Sequence, residues 1–187
     1  MKIELVENRK QKPDFSKLGF GKYFTDHMLV WEYDESKGGW QEQRIIPYEN
    51  FTLDPACCSL HYGQGIFEGL KAYKDENGNV TMFRPRDNFK RMNKSAERLC
   101  MATFDVEEAV KGLEELIKIE KEWIPSAEGT SLYIRPFMFG TEAFLGVHPS
   151  KKYLLTIILS PVGSYYANGL QPTKLIVEDH YTRASVG

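Results

Sequence analysis

Residues 66–83 read IFEGLKAYKDENGNVTMF. Two apolar stretches, 66–73 and 80–83, flank KDENGN, whose Asn77-Gly78 pair takes up positive φ angles at little steric cost. The segment reads as a β-hairpin. Upstream, residues 22–33 carry Tyr23, Phe24, Met28, Leu29, Val30 and Trp31 as strand, DESKGG (34–39) supplies a turn, and 40–46 return as a second strand. The polar residues 1–21, with Pro13 and Gly19, read as an arm or loose lead-in. Downstream, Phe89, Met92, Ala96 and Leu99 recur at steps of three and four over 87–101, one face of a helix. Pro85 stands just before it, where proline does little harm. A second helix starts at Asp105, an N-cap with Glu108 in the capping-box position, and buries Val106, Ala109, Val110, Leu113, Leu116 and Ile117 before ending ahead of Pro125. Strand character then returns at 131–139, 153–162 and 174–177, and the near-continuous apolar run TIILS suggests burial on both faces. Strands, helices and strands again give an α+β fold: an antiparallel sheet with two helices, followed by further strands.

Composition bounds the function. The 187 residues are 42% hydrophobic, 27% charged and 13% aromatic, enough to bury a core. Twenty-four basic against 26 acidic residues argue against nucleic-acid binding driven by bulk charge. No run approaches the roughly 18 apolar residues of a membrane-spanning helix. The first residues lack a secretory apolar segment, so the chain is expected in the cytoplasm with no membrane partner. Three cysteines, two of them the adjacent Cys57 and Cys58, make no disulfide framework.

Several motifs fail on inspection. The glycines of 63–69 (GQGIFEG) are misplaced for a dinucleotide fingerprint and lie in a hairpin; they read as turn or close-approach glycines. The four histidines never reach ligand spacing and no Cys-x-x-Cys exists, so no metal site is expected. Cys57-Cys58 reads as packing, and two glycosylation-type triplets read as chance.

Three features remain. Leu60-His61-Tyr62-Gly63 opens the strand at 66–73; the residues alone favour an ordinary half-buried tyrosine. Arg91 lies off the apolar helix face, where a surface arginine is the default and a phosphate-binding arginine the sharper alternative. Tyr133 and Arg135 stand two apart in an apolar strand and so share a face, as an anion site or a structural ion pair.

In that order these features resemble the fold-type IV pyridoxal-phosphate enzymes, within them the branched-chain aminotransferases. The runs that carry the likeness are LHYGQGIFEGLKAYK (60–74), MFRPRDNFKRMNKSAERL (82–99), GTSLYIRPFMFGTEAFLGV (129–147), SPVGSYY (160–166) and RASVG (183–187). The resemblance implies that Arg91 binds the cofactor phosphate and that Arg183 precedes the cofactor segment. It implies that Tyr62 and Phe67 line the substrate pocket, with Tyr165 a further pocket aromatic. Tyr133 and Arg135 would lie near the substrate, the arginine reading a second carboxylate. Val147 would reach across a homodimer. The resemblance also implies the divisions: an arm at 1–21, a small α+β domain at 22–140, an interdomain loop at 141–152 and, at 153–187, the first strands of a second, larger cofactor domain, truncated here. The Schiff-base lysine would lie just past Gly187, since Lys71, Lys74, Lys90 and Lys94 are not in its context. Transamination between leucine, isoleucine or valine and 2-oxoglutarate is the implied activity of the full-length protein, the present chain being an inactive fragment that does not by itself hold the cofactor. The competing readings are a D-amino-acid aminotransferase or aminodeoxychorismate lyase, and a non-catalytic binding or dimerisation module.

Overall fold

The computed structural model describes residues 1–164, 172 and 174–182. Its strands are β1 (Lys2–Ile3), β2 (His27–Asp34), β3 (Gly39–Trp40), β4 (Arg44–Pro47), β5 (Gly65–Phe67), β6 (Leu70–Lys74), β7 (Val80–Met82), β8 (Ser131–Gly140) and β9 (Lys152–Val162). The helices are α1 (Cys58–Tyr62), α2 (Pro85–Arg98) and α3 (Val106–Ile119). All strands join one sheet of order β1-β4-β2-β9-β8-β6-β7, with β3 beside β2 and β5 beside β8. The pairings are antiparallel except β1 with β4. This mixed sheet with few helices is the α+β architecture expected.

The two long helices form where the sequence periodicity places them. Pro85 occupies the first turn of α2, and the Asp105 carboxylate caps α3 by accepting the Glu108 amide at 2.9 Å. The Glu108 carboxylate takes the Lys111 ammonium, so the cap has its first half. Phe89, Met92 and Ala96 of α2, with Val110, Leu113 and Leu116 of α3, pack on Leu29, Ile45, Leu132, Ile134, Leu155 and Ile157 to make the main core. The opposite sheet face carries a smaller cluster of Met28, Val30 and Ile46.

Several expectations are corrected. The run 66–73 divides into β5 and β6, yet Phe67 pairs with Phe137 and Leu70 with Ile134 in one continuous register. The gap falls opposite Pro136. Its carbonyl accepts the Glu68 amide at 2.8 Å, but proline has no N–H to return the second rung. Residues 60–63 open no strand: Tyr62 ends α1, and Gly63 terminates it at φ 65°. The return strand at 40–46 is split by a bulge, because Tyr33 pairs with Trp40 while Val30 pairs with Arg44.

The largest correction concerns 153–162. This strand belongs to the first sheet, as β9 between β2 and β8. Its apolar continuity reflects covering on both faces of that sheet. Of the expected interdomain loop at 141–152, residues 141–151 are accordingly the connection between two antiparallel neighbours and Lys152 starts β9; the connection is secured where Glu142 accepts the Lys151 amide at 2.8 Å. Residues 174–177 form no strand. They enter no ladder, and Leu175, Ile176 and Val177 lie exposed.

The lead-in is docked. Lys2–Ile3 pairs with β4, and the Val6 amide donates to His27 Nε2 at 2.9 Å. Arg9 donates from Nη1 to Glu120 at 3.1 Å and to Asp26 at 3.3 Å. Those two carboxylates and His27 are fully buried, so the arm supplies charge the core requires.

Candidate active site

Alternation along β5, β6 and β8 sorts the chemistry onto two faces. Phe67, Tyr133 and Arg135 share the face turned away from the long helices. There the Arg135 guanidinium lies 4.5 Å from the Phe67 ring centre and donates to the Tyr133 hydroxyl from Nε at 3.2 Å and Nη2 at 2.8 Å. Phe20 meets the Tyr133 ring edge-on at 5.1 Å. Gly69 fits beneath this group because it lacks a side chain; a Cβ there would come 2.5 Å from the tyrosine oxygen. Among the described residues no carboxylate lies in ion-pair range of Arg135. The guanidinium keeps donors for an anion, seated between two aromatic rings.

Glu68 points the other way, with Ile66 and Leu70, toward α2. Arg91 grips it with two bonds of 2.6 Å, Nε to Oε1 and Nη2 to Oε2, and Asn88 adds a third at 3.3 Å. Burial opposes the Glu68 charge, but the hydrogen bonds from Arg91 and Asn88 outweigh it and hold the carboxyl below its ordinary range. The Arg91 pKa is raised in turn by the hydrogen bonds to Glu68 and by its charge. Arg91 is therefore neither a free surface arginine nor part of the Phe67–Arg135 group, from which the strand separates it.

Tyr62 and Val147 meet at a third place. They line a cleft of about 360 Å³ with Gln64, Leu99, Cys100 and Pro149, and the Tyr62 hydroxyl donates to the Leu145 carbonyl. Val147 is 88% exposed at the tip of the β8–β9 connection. Tyr165 and Arg183 lie outside the described residues. Among the described residues no cluster of His, Cys, Asp and Glu forms a metal site.

Sequence reasoning missed Glu68 and Asn88. The available signal was the register: 66, 68 and 70 share a core-facing side, and an acidic residue there demands a cationic partner.

No family model matches the chain. It is 52% identical over 187 residues, its whole length, to branched-chain-amino-acid aminotransferase 2 of Bacillus subtilis, and covers 51% of that protein. It is 54% identical over 188 residues to a probable branched-chain-amino-acid aminotransferase of Staphylococcus aureus strain MRSA252, covering all of this chain and 52% of the relative. Among solved structures it resembles the branched-chain aminotransferase of the thermophilic archaeon Thermoproteus uzoniensis with norvaline, with TM-score 0.53 and 24% identity over 73% of this chain and 41% of that one. The structural likeness defines the class of fold, that of the aminotransferase structure. The sequence identity goes further: along its whole length the chain is similar to proteins named branched-chain aminotransferases. It spans about half the length of the curated relatives it matches.

Proposed function

We propose that the protein containing this chain transfers the amino group between leucine, isoleucine or valine and 2-oxoglutarate, using pyridoxal phosphate. The observation that carries this reading is the Phe67–Tyr133–Arg135 group: one guanidinium without a carboxylate partner among the described residues, held in an aromatic setting. Such a site suits substrates that are apolar in one case and bear a second carboxylate in the other. When bound, the cofactor supplies the electron sink that stabilises a carbanion at the amino-acid Cα.

The residues present fit that group. Arg91 uses one edge of its guanidinium on Glu68, and its other N–H groups face outward on a side chain 63% exposed. They would take a phosphate ester bidentately. In this reading Arg183 also belongs to the cofactor site. Tyr62, Phe67, Tyr165 and Val147 line the side-chain pocket, with Val147 reaching a second copy in a homodimer. The second domain begins beyond Val162, and the lysine that holds the cofactor lies outside these 187 residues. The described helices include none long and apolar enough to cross a membrane, and we place the protein in the cytoplasm.

The test is amino transfer by the whole protein with pyridoxal phosphate, L-leucine and 2-oxoglutarate, followed as glutamate formed. Turnover with L-leucine and none with D-alanine is expected; the reverse preference, or no transfer, overturns the reading. Arg135→Gln should raise KM for 2-oxoglutarate by roughly 10–100-fold, the worth of hydrogen bonds to a charged group. The KM for leucine should move far less.

A further inference from the structure

We propose that Glu68 is a positioning residue for the cofactor phosphate, holding Arg91 so that the outer edge of its guanidinium is preset for a phosphate ester. This rests on the reading of Arg91 above and adds a residue to it. Glu68 sits between the buried Ile66 and Leu70, with its side chain 7% exposed. A carboxylate so placed needs donors, and it has them. Both oxygens accept from Arg91 at 2.6 Å, and Asn88 donates to one of them at 3.3 Å. Asn88 also donates to the Gly69 carbonyl at 3.3 Å, so the carboxylate is tied to the strand that carries it.

The consequence falls on Arg91. An exposed arginine samples many rotamers and loses them when it grips a ligand. Here Glu68 has already selected the conformer. Of five guanidinium N–H groups it engages the Nε donor and one on Nη2, leaving the other Nη2 donor and both on Nη1 directed away from the strand. The carboxylate also repels a phosphate, but it lies behind the guanidinium, and water and salt screen that repulsion at an exposed site. Ordering the fork is not screened. The balance favours binding.

The experiment uses the full-length protein stripped of cofactor and titrated with pyridoxal phosphate and, separately, with pyridoxal, which lacks the phosphate. Glu68→Gln should weaken pyridoxal phosphate about tenfold and leave pyridoxal unchanged. Arg91→Gln should weaken pyridoxal phosphate by more, and the double variant should be no weaker than Arg91→Gln alone. Asn88→Ala keeps the Glu68 charge and loosens its seat; it should lose a smaller factor, again for the phosphorylated ligand only. If Arg91→Gln is selective and Glu68→Gln and Asn88→Ala are not, the positioning role of Glu68 is wrong. Equal losses for both ligands in the Glu68 and Asn88 variants mean general damage and also overturn it. If Arg91→Gln itself loses nothing selectively, the assignment of Arg91 to the phosphate fails instead.

Discussion

Replacing Glu120 with alanine is expected to destabilise the protein by about 3–5 kcal/mol, the cost of removing one member of a buried charged group. The Glu120 carboxylate is fully buried just past the end of α3. It takes the Nδ1 proton of His27, a bond of 3.1 Å from Arg9, and the Asp26 amide at 3.4 Å. The Val6 amide donates to His27 Nε2, which fixes the neutral imidazole with its proton on Nδ1, aimed at Glu120. Alanine would leave that N–H, and Arg9 over Asp26, without the partner around which both are arranged. The arm at 1–21 should loosen with it. A thermal melt of the protein should show the midpoint falling by about 10 °C. Glu122 is the control: its exposed carboxylate pairs with Lys12 at 3.0 Å, and its alanine variant should melt close to the parent. Acid adds a second readout. Burial opposes the Asp26 charge, but hydrogen bonds from the Lys10 amide, the Trp123 indole and Arg9 hold its pKa below the ordinary value. The stability it contributes is present above its unfolded-state pKa and is lost as pH falls through the lower folded one. Asp26→Asn should flatten the pH dependence of the melt in that acid window.

Phe89→Ala is expected to cost about 3–5 kcal/mol, through lost burial and the cavity left behind. Phe89 is fully buried on α2 and meets Phe104 edge-on at 6.1 Å. The effect should reach function, because α2 also carries Asn88 and Arg91 on either side of this anchor. Urea unfolding should show the loss in the midpoint, and the affinity for pyridoxal phosphate should fall with it. Lys90→Ala, at an exposed neighbouring position, should change neither. An unaltered midpoint in Phe89→Ala would mean that α2 is not seated by this side chain.

Local pattern makes much of the fold legible. The apolar spacing of α2 and α3, the Asp105 cap and the Asn77-Gly78 turn, with Gly78 at φ 77°, are written within a few residues of where they act. What escapes is non-local. Burial on both faces is readable in 153–162, but periodicity records covering and not which sheet provides it, so pattern alone places the strand in the wrong domain. The break in 66–73 is imposed by Pro136, far along the chain, through a missing N–H. His27 and Glu120 meet across 93 positions. At the site, Tyr133 and Arg135 are legible as a pair because alternation places them together. Arg91 by its own position reads as a surface arginine with a phosphate-binding alternative, and Glu68, which fixes it, requires the register of two strands to be known.

We propose that these residues form the cofactor-phosphate and substrate side of a branched-chain aminotransferase whose covalent lysine lies elsewhere in the protein. The decisive experiment is borohydride reduction of the full-length protein loaded with pyridoxal phosphate, followed by peptide mapping. A single pyridoxyl-labelled lysine outside residues 1–187 is expected, with the label lost when L-leucine is added before reduction. A label on Lys71, Lys74, Lys90 or Lys94, or no label at all, would contradict it.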